Sequence, residues 1–371
     1  MLNIGFVVNP VAGIGGPAGL AGSDGIEIQR LASAMGSVSR SDLRASEFLS
    51  ALSDDVRVVA TGAGAMGQQS LELVGRRSDA VIPSLLETNA GDTTAVARRS
   101  LELGAELVIF VGGDGTARDV MEGIGEAGTP LLGIPAGVKM HSSVFALSSK
   151  TAGALVTQWR PHHGVETAEV VDIDESARRA GKIVTRLYGT AQVPKAPHRI
   201  QSRKVGAGVP SKGSVEALAA SLSKVLDPAS AWVFGPGTTL AAVATRLGLD
   251  SSLLGVDVVL PNSKVHLGNS ASELEELTAN FRVQLVLSPV GGQGFLLGRG
   301  NQQISAKVLK RVAKSDLIVL ATPGKLAQLG GASLLLDTGS ATLDEKFSGY
   351  RRVLTGQNDA SVLPIRAASE Q

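Results

Sequence analysis

Residues 107–119 read LVIFVGGDGTARD, and the change of character within this stretch decides the architecture. Leu107–Val111 is an unbroken apolar run. A short run of this kind ending in glycines is what a strand buried on both faces of a parallel sheet requires. The run breaks at Gly112-Gly113-Asp114-Gly115-Thr116, and from Ala117 to Ile124 apolar residues return at helical spacing, with Val120 and Ile124 on one face. Strand, glycine loop and helix start together make an anion site. The first N–H groups of a helix have no intrahelical acceptor, and glycines let a phosphate come close to them. Gly112, Gly113 and Gly115 are therefore candidate phosphate contacts. Asp114 is the odd member, because a carboxylate beside a phosphate is repelled unless it binds a cation or takes a proton. That makes Asp114 the candidate catalytic residue. GGDG is also an ordinary turn sequence, so the reading depends on whether other strands end in the same way.

They do. Leu2–Val8 runs into Asn9-Pro10-Val11-Ala12-Gly13-Ile14-Gly15-Gly16. Asn9 stands where the carboxyl end of a first strand offers a hydrogen bond to a ligand, with Gly13, Gly15 and Gly16 behind it. Pro17 suits the first position of a following helix. Arg57–Ala60 leads to a loop holding Gly62 and Gly64, and Pro130–Ile134 to a loop holding Gly137, Lys139, Met140 and His141. Between these lie two helical stretches. Ser41–Leu52 is anchored by Leu43, Phe48 and Leu52; Asp92–Leu103 is capped by Asp92 and ended by Gly104. Glycines at the same end of every strand predict a doubly wound parallel sheet with its ligand at the carboxyl ends.

Beyond Thr167 the texture changes. EVVDID at 169–174 alternates as a half-buried strand does, 183–193 is a longer β-like run, and 195–209 reads as a surface loop. The expected division is an N-terminal α/β nucleotide-binding domain over 1–165, a second mixed α/β or β-rich domain over 166–358, and a loosely held tail over 359–371. The second half repeats the strand–loop–helix signature at 231–247, offering Gly235, Gly237 and Thr238. It adds Gly292 and Gln293, and then Arg299 between two glycines and followed by Asn301, Gln302 and Gln303, a polar cluster suited to an anion. Lys139, just past a glycine at a strand end, is the best cation for phosphate. Arg118 and Asp119 follow the GGDGT loop directly, and Asp119 is expected either to pair with Lys139 or to hold the loop. His162 and His163 lack a third metal ligand at useful spacing.

Composition bounds the function. A chain of 371 residues exceeds one ordinary core, so two domains are expected. A formal charge of +1 and 3 % aromatic residues disfavour a polyanion or base-stacking surface, and hence nucleic acid. The absence of cysteine excludes thiol catalysis, disulfides and thiolate metal sites, and fits a cytoplasmic protein. No apolar run approaches a membrane span, and Met1–Pro10 enters a strand without the basic n-region of a signal peptide.

Five blocks carry a family resemblance: GGDGTARDV at 112–120, GIPAGVKMHSSVFA at 133–146, GPGTT at 235–239, GVDVV at 255–259 and GGQGFLLGRGNQQIS at 291–305. With the N-P-x-x-G-x-G-G first loop they resemble the superfamily of NAD kinases and diacylglycerol/sphingosine-type lipid kinases. They are closer still to the microbial ATP-NAD kinase-like family, including members encoded with acetoin catabolism genes. The resemblance implies a kinase moving the γ-phosphoryl of ATP, or of polyphosphate, onto the 2′-hydroxyl of the NAD adenosine ribose. It implies Asp114 as base or substrate-activating residue, glycines and Thr116 on phosphate, Mg²⁺ or another divalent cation, and a homo-oligomer. Two departures stand out. NAD kinases carry G-x-N-x-G-x-x-G-F-L where this chain has Gly133-Ile134-Pro135-Ala136-Gly137-Val138-Lys139-Met140-His141, without the Asn. Their Asn-Glu/Asp motif has no clear counterpart, with Asp172 or Asp174 as stand-ins. Two other functions fit the same loops: an ATP-dependent kinase of a lipid or small polyol, and a nucleotide-binding accessory protein without turnover. The chain has no basic amphipathic helix for a lipid surface.

Overall fold

A computed structural model describes residues 1–20, 25–85, 87–137, 140–173, 185–196, 200, 211–290, 294–329 and 332–370. Contacts divide the chain into two units, Met1–Ile14 with Ser39–Arg203, and Gly15–Val38 with Lys204–Glu370. The sequence suggested a single cut after 165; here a segment of the first loop belongs with the second half, and the strand pair after 165 belongs with the first.

Through residue 203 the described elements are β1 (Leu2–Val8), α1 (Ile26–Ala34, in the second unit), α2 (Ser41–Ser50), β2 (Val56–Gly62), α3 (Gln68–Leu73), β3 (Ser78–Ile82), α4 (Ala90–Glu102), β4 (Leu107–Gly112), α5 (Asp114–Ile124), β5 (Leu131–Pro135), α6 (Ser149–Gln158), β6 (Val165–Ile173) and β7 (Thr185–Pro194). β1 to β5 form one parallel sheet in the order β3-β2-β1-β4-β5. Alternate residues of each strand enter opposite layers. Ile109 and Val111 pack with Val8, Phe48 and Ala152, while Val108 and Phe110 pack with Val96 and Val120. A strand covered on both faces has no polar side, so β4 reads as a continuous apolar run. The chain winds outward from β1 to β3 and then returns to place β4 on the other side of β1. The crevice at the carboxyl ends of β1 and β4 is therefore the switch point of the sheet, where open α/β sheets bind ligands.

Several local expectations need correction. Helix α4 begins at Ala90, capped by Asn89. The Asn89 side chain accepts from Gly91 N–H, and Asp92 returns a bond to Asn89 N–H, so Asp92 closes a capping box from inside the helix. Gly104 ends that helix, with φ +79°. Pro17 starts no helix; it lies among turns. Leu43 is 48 % exposed, and α2 packs instead through Ala45, Phe48 and Leu49. β6 and β7 pair antiparallel, and Ala168, Val170, Ala191 and Val193 pack with Phe145 and Val120. The loop expected over 195–209 lies almost wholly outside the described residues.

The second unit holds α7 (Lys212–Ser223), β8 (Ala231–Phe234), α8 (Thr238–Arg246), β9 (Asp257–Val259), β10 (Val265–His266), α9 (Ala271–Leu277), β11 (Val283–Leu287), β12 (Phe295–Leu297), α10 (Ala306–Arg311), β13 (Leu317–Leu320), α11 (Pro323–Gln328), β14 (Leu334–Leu336), α12 (Ala341–Phe347), β15 (Gly349–Leu354) and β16 (Ala360–Ala367). Its sheet is mixed, in the order β10-β9-β8-β11-β13-β15-β16-β14-β12. Val233, Leu285, Val319 and Val353 face Leu274, Val308, Leu309 and Phe347. Their neighbours Phe234, Val286, Leu320 and Leu354 face Val215, Leu218, Leu240 and Val243. The second half is thus a mixed α/β layer structure. The expected loose tail is also corrected: β16 pairs antiparallel with β15 and parallel with β14, and buries Ile365.

Candidate functional site

At the switch point three loops are bonded together. The Asn9 N–H donates to Val111 O at 2.9 Å. The Asn9 side chain uses both ends of its amide: Oδ1 accepts from Val11 N–H at 3.2 Å and Nδ2 donates to Thr116 Oγ1 at 3.0 Å. The end of β1 is thereby tied to the first turn of α5. The carbonyl of Gly112 accepts from the N–H groups of Ala136 and Gly137 at 2.9 and 3.1 Å, joining the ends of β4 and β5. Glycine is required where these backbones meet. A Cβ on Gly13, whose φ is +74°, would stand 2.0 Å from Ala136 O, and one on Gly137 would stand 2.9 Å from Gly113 Cα.

Asp114 opens α5 immediately after Gly113. An acidic residue in the first turn of a helix is favoured by the helix dipole. Its carboxylate reaches the loop leaving β5: Oδ2 accepts from His141 N–H at 2.7 Å and Oδ1 from Ser142 N–H at 3.0 Å. The residue is 7 % exposed. Two main-chain donors, one on each oxygen, fix the plane of the carboxylate and require it to act as acceptor on both sides. A carboxylate oxygen has more than one acceptor direction, so two main-chain bonds do not by themselves exhaust a carboxylate.

The first unit brings together Asn9, Gly13, Gly112, Gly113, Asp114, Gly115, Thr116, Gly137 and the main chain of His141. Gly62 and Gly64 end β2 in a loop that closes on itself, with Gly64 N–H donating to Gln68 Oε1 at 3.2 Å. Met140 is buried and packs in the core with Val144 and Phe145. Arg118 pairs with Asp119 at 3.2 Å and lies over the Tyr188 ring. Gly15 and Gly16 fall in the second unit, where their carbonyls accept from Leu20 and Gly19 N–H. Lys139, Asp174, Gly292 and Gln293 lie outside the described residues, as does the side chain of Asp172.

In the second unit, Gly235 N–H donates to Val286 O at 3.0 Å, Gly237 N–H donates to Leu253 O at 2.9 Å, and Thr238 begins α8. Arg299 does not present itself as a surface anion contact. It is 5 % exposed, its Nε lies 3.5 Å from Asp337 Oδ2, and its guanidinium stacks 4.0 Å over the Phe295 ring. Gly298 and Gly300, which suggested backbone approach to an anion, have φ of +88° and +75°. A Cβ on Gly298 would collide with Asp337 O, so the close approach is to the protein's own chain.

The residue that sequence reasoning missed is Ser142. It lies within the 133–146 block, but its bonds run to residues distant in sequence and leave no periodic trace. Among the described residues no group of three or more His, Cys, Asp or Glu could hold a metal ion, and no helix is long and apolar enough to cross a membrane.

Residues 4–160 match the family model of the ATP-NAD kinase N-terminal domain, and residues 230–365 match that of the ATP-NAD kinase C-terminal domain. No curated protein and no solved structure matches the chain.

Proposed function

The chain belongs to the ATP-NAD kinase family and is an ATP-dependent kinase, and from that premise we propose that it transfers the γ-phosphoryl group of ATP to the 2′-hydroxyl of the NAD adenosine ribose. The observation that carries the reading is the Asp114 carboxylate, held by two main-chain N–H groups at the switch point of the parallel sheet.

Phosphoryl transfer asks a protein chiefly for alignment and charge neutralisation. The ribose oxygen forms a bond to the γ-phosphorus as the bond from that phosphorus to the β–γ bridging oxygen breaks, and ADP leaves. Asp114 accepts the hydroxyl proton. The glycine backbone of 112–115 and the Thr116 hydroxyl hold phosphate oxygens, with Asn9 fixing Thr116. Mg²⁺ typically binds through one or two carboxylates together with substrate phosphates and water. A site offering one clamped carboxylate, without a cluster of acids among the described residues, fits an ion that arrives with the nucleotide. When bound it would neutralise phosphate charge beside Asp114.

The test is NADP formation from Mg-ATP and NAD, read with an NADP-specific dehydrogenase. Asp114→Asn is expected to lower the rate by at least about a hundredfold, within the range a lost general base costs. Parallel incubations with polyphosphate as donor and NADH as acceptor define the substrates. Binding of both nucleotides without turnover, or turnover only with a lipid or polyol, would overturn the proposal.

A further inference from the structure

β6 pairs with β7 along one edge, and the register of that pair shifts between Val170 and Val171. The segment leaving the Asp114 clamp lies along β6 at the same level. Ser143 N–H donates to Glu169 O at 2.9 Å. One residue earlier a side chain takes over the pairing. The Ser142 hydroxyl donates to Val171 O and accepts from Val171 N–H, both at 3.0 Å. A single oxygen therefore satisfies both main-chain groups of Val171. The same residue's N–H is the donor to Asp114 Oδ1. Ser142 has no exposed surface, and removing its hydroxyl takes this partner from both main-chain groups of Val171.

We propose that Ser142 is a positioning residue for phosphoryl transfer, setting the orientation of the Asp114 carboxylate from the position of the β6–β7 hairpin. This rests on Asp114 being the catalytic group. The chain of contact is short: hairpin main chain to Ser142 hydroxyl, Ser142 N–H to carboxylate. The hairpin is fixed in turn by the packing of Ala168 and Val170 against the core that contains Val120 of α5. The carboxylate and the helix that carries it thus share one frame. Loss of the hydroxyl frees residue 142 to rotate, and with it the donor that fixes one carboxylate oxygen. Substrate binding does not depend on that donor, so the defect falls on turnover.

The experiment combines steady-state kinetics with amide hydrogen exchange on the full-length wild type, Ser142→Ala and Asp114→Asn. The bond from Ser143 N–H to Glu169 O does not involve the hydroxyl, so Ser142→Ala keeps the segment along β6 while residue 142 itself loosens. That variant is expected to lose about tenfold or more in kcat while KM for ATP and NAD stays within about twofold, the pattern of an interaction needed in the transition state. Asp114→Asn is expected to raise exchange at the Val171 amide about tenfold, because a weakened clamp loosens residue 142, whose hydroxyl holds that amide. A Ser142→Ala enzyme with unchanged kcat, or a Val171 amide indifferent to Asp114→Asn, overturns the inference. Full activity in Asp114→Asn instead overturns the functional reading, and the exchange result still reports whether the coupling exists.

Discussion

Gly13 shows how little freedom the site leaves its main chain. Its φ of +74° is one that residues with a Cβ rarely adopt, and the missing Cβ would fall 2.0 Å from a carbonyl oxygen of the neighbouring loop. The obstacle is backbone, held by bonds to Gly112 O, so no side chain can swing aside. Gly13→Ala is expected to cost about 2–4 kcal/mol of stability, from strain and a forced loop shift together. The urea midpoint checks this, and a variant within about 0.5 kcal/mol of wild type would show that the loops are not interlocked. Residues of this kind were legible in the sequence because glycine and aspartate interrupt apolar runs. Ser142 and Arg299 were not. The roles of both depend on partners brought near by folding, Val171 for one and Asp337 for the other, and spacing along the chain says nothing about either.

Whole elements were read more faithfully than their ends. β1, β4 and β8 were found because strands buried on both faces must be apolar throughout. Helix starts were misjudged where the capping residue is not the first acidic one, as at Asn89 and Asp92 of α4. The same device begins α9. Ser270 accepts from Glu273 N–H, and Glu273 Oε2 accepts from Ser270 N–H at 2.8 Å and from its hydroxyl at 2.7 Å. These bonds, the backbone one foremost, hold the Glu273 carboxyl below the usual glutamate range. A depressed folded value means that the charged form stabilises the native state. Its contribution is complete above the ordinary glutamate value and is lost as pH falls through the lower, folded one. Glu273→Gln keeps the shape and removes the charge. It should cost about 0.5 kcal/mol near neutral pH, modest because the group is exposed. The difference from wild type should vanish in acid below that depressed folded value, where both side chains are neutral. Urea unfolding at the two pH values measures it, and a difference that persists in acid would assign the cap to shape alone.

At the scale of the molecule, the end of the chain was the most misleading. Residues 360–367, ASVLPIRA, carry a proline, which argues against an interior strand because it cannot donate to a ladder. The fold accommodates it by position. Pro364 lies opposite Tyr350 of β15, and pairing to β14 begins only at the next residue, Ile365. Beyond that point β16 is interior: it alone joins β15 to β14, and through β14 to β12. Ile365, Ala367 and Ala368 are buried. A chain ending at Asp359 would lose this bridge, uncovering one edge of β15 and one of β14 at once, and would leave Leu334 and Leu336 without their neighbours. The lost burial of Ile365 alone is worth about 2–5 kcal/mol. With the broken ladder added, the cost reaches the whole margin by which domains of ordinary stability stay folded. The truncated protein is therefore expected to bind a hydrophobic dye and to lose the cooperative melt of its second unit, whereas a dispensable tail would leave the melting curve where it was.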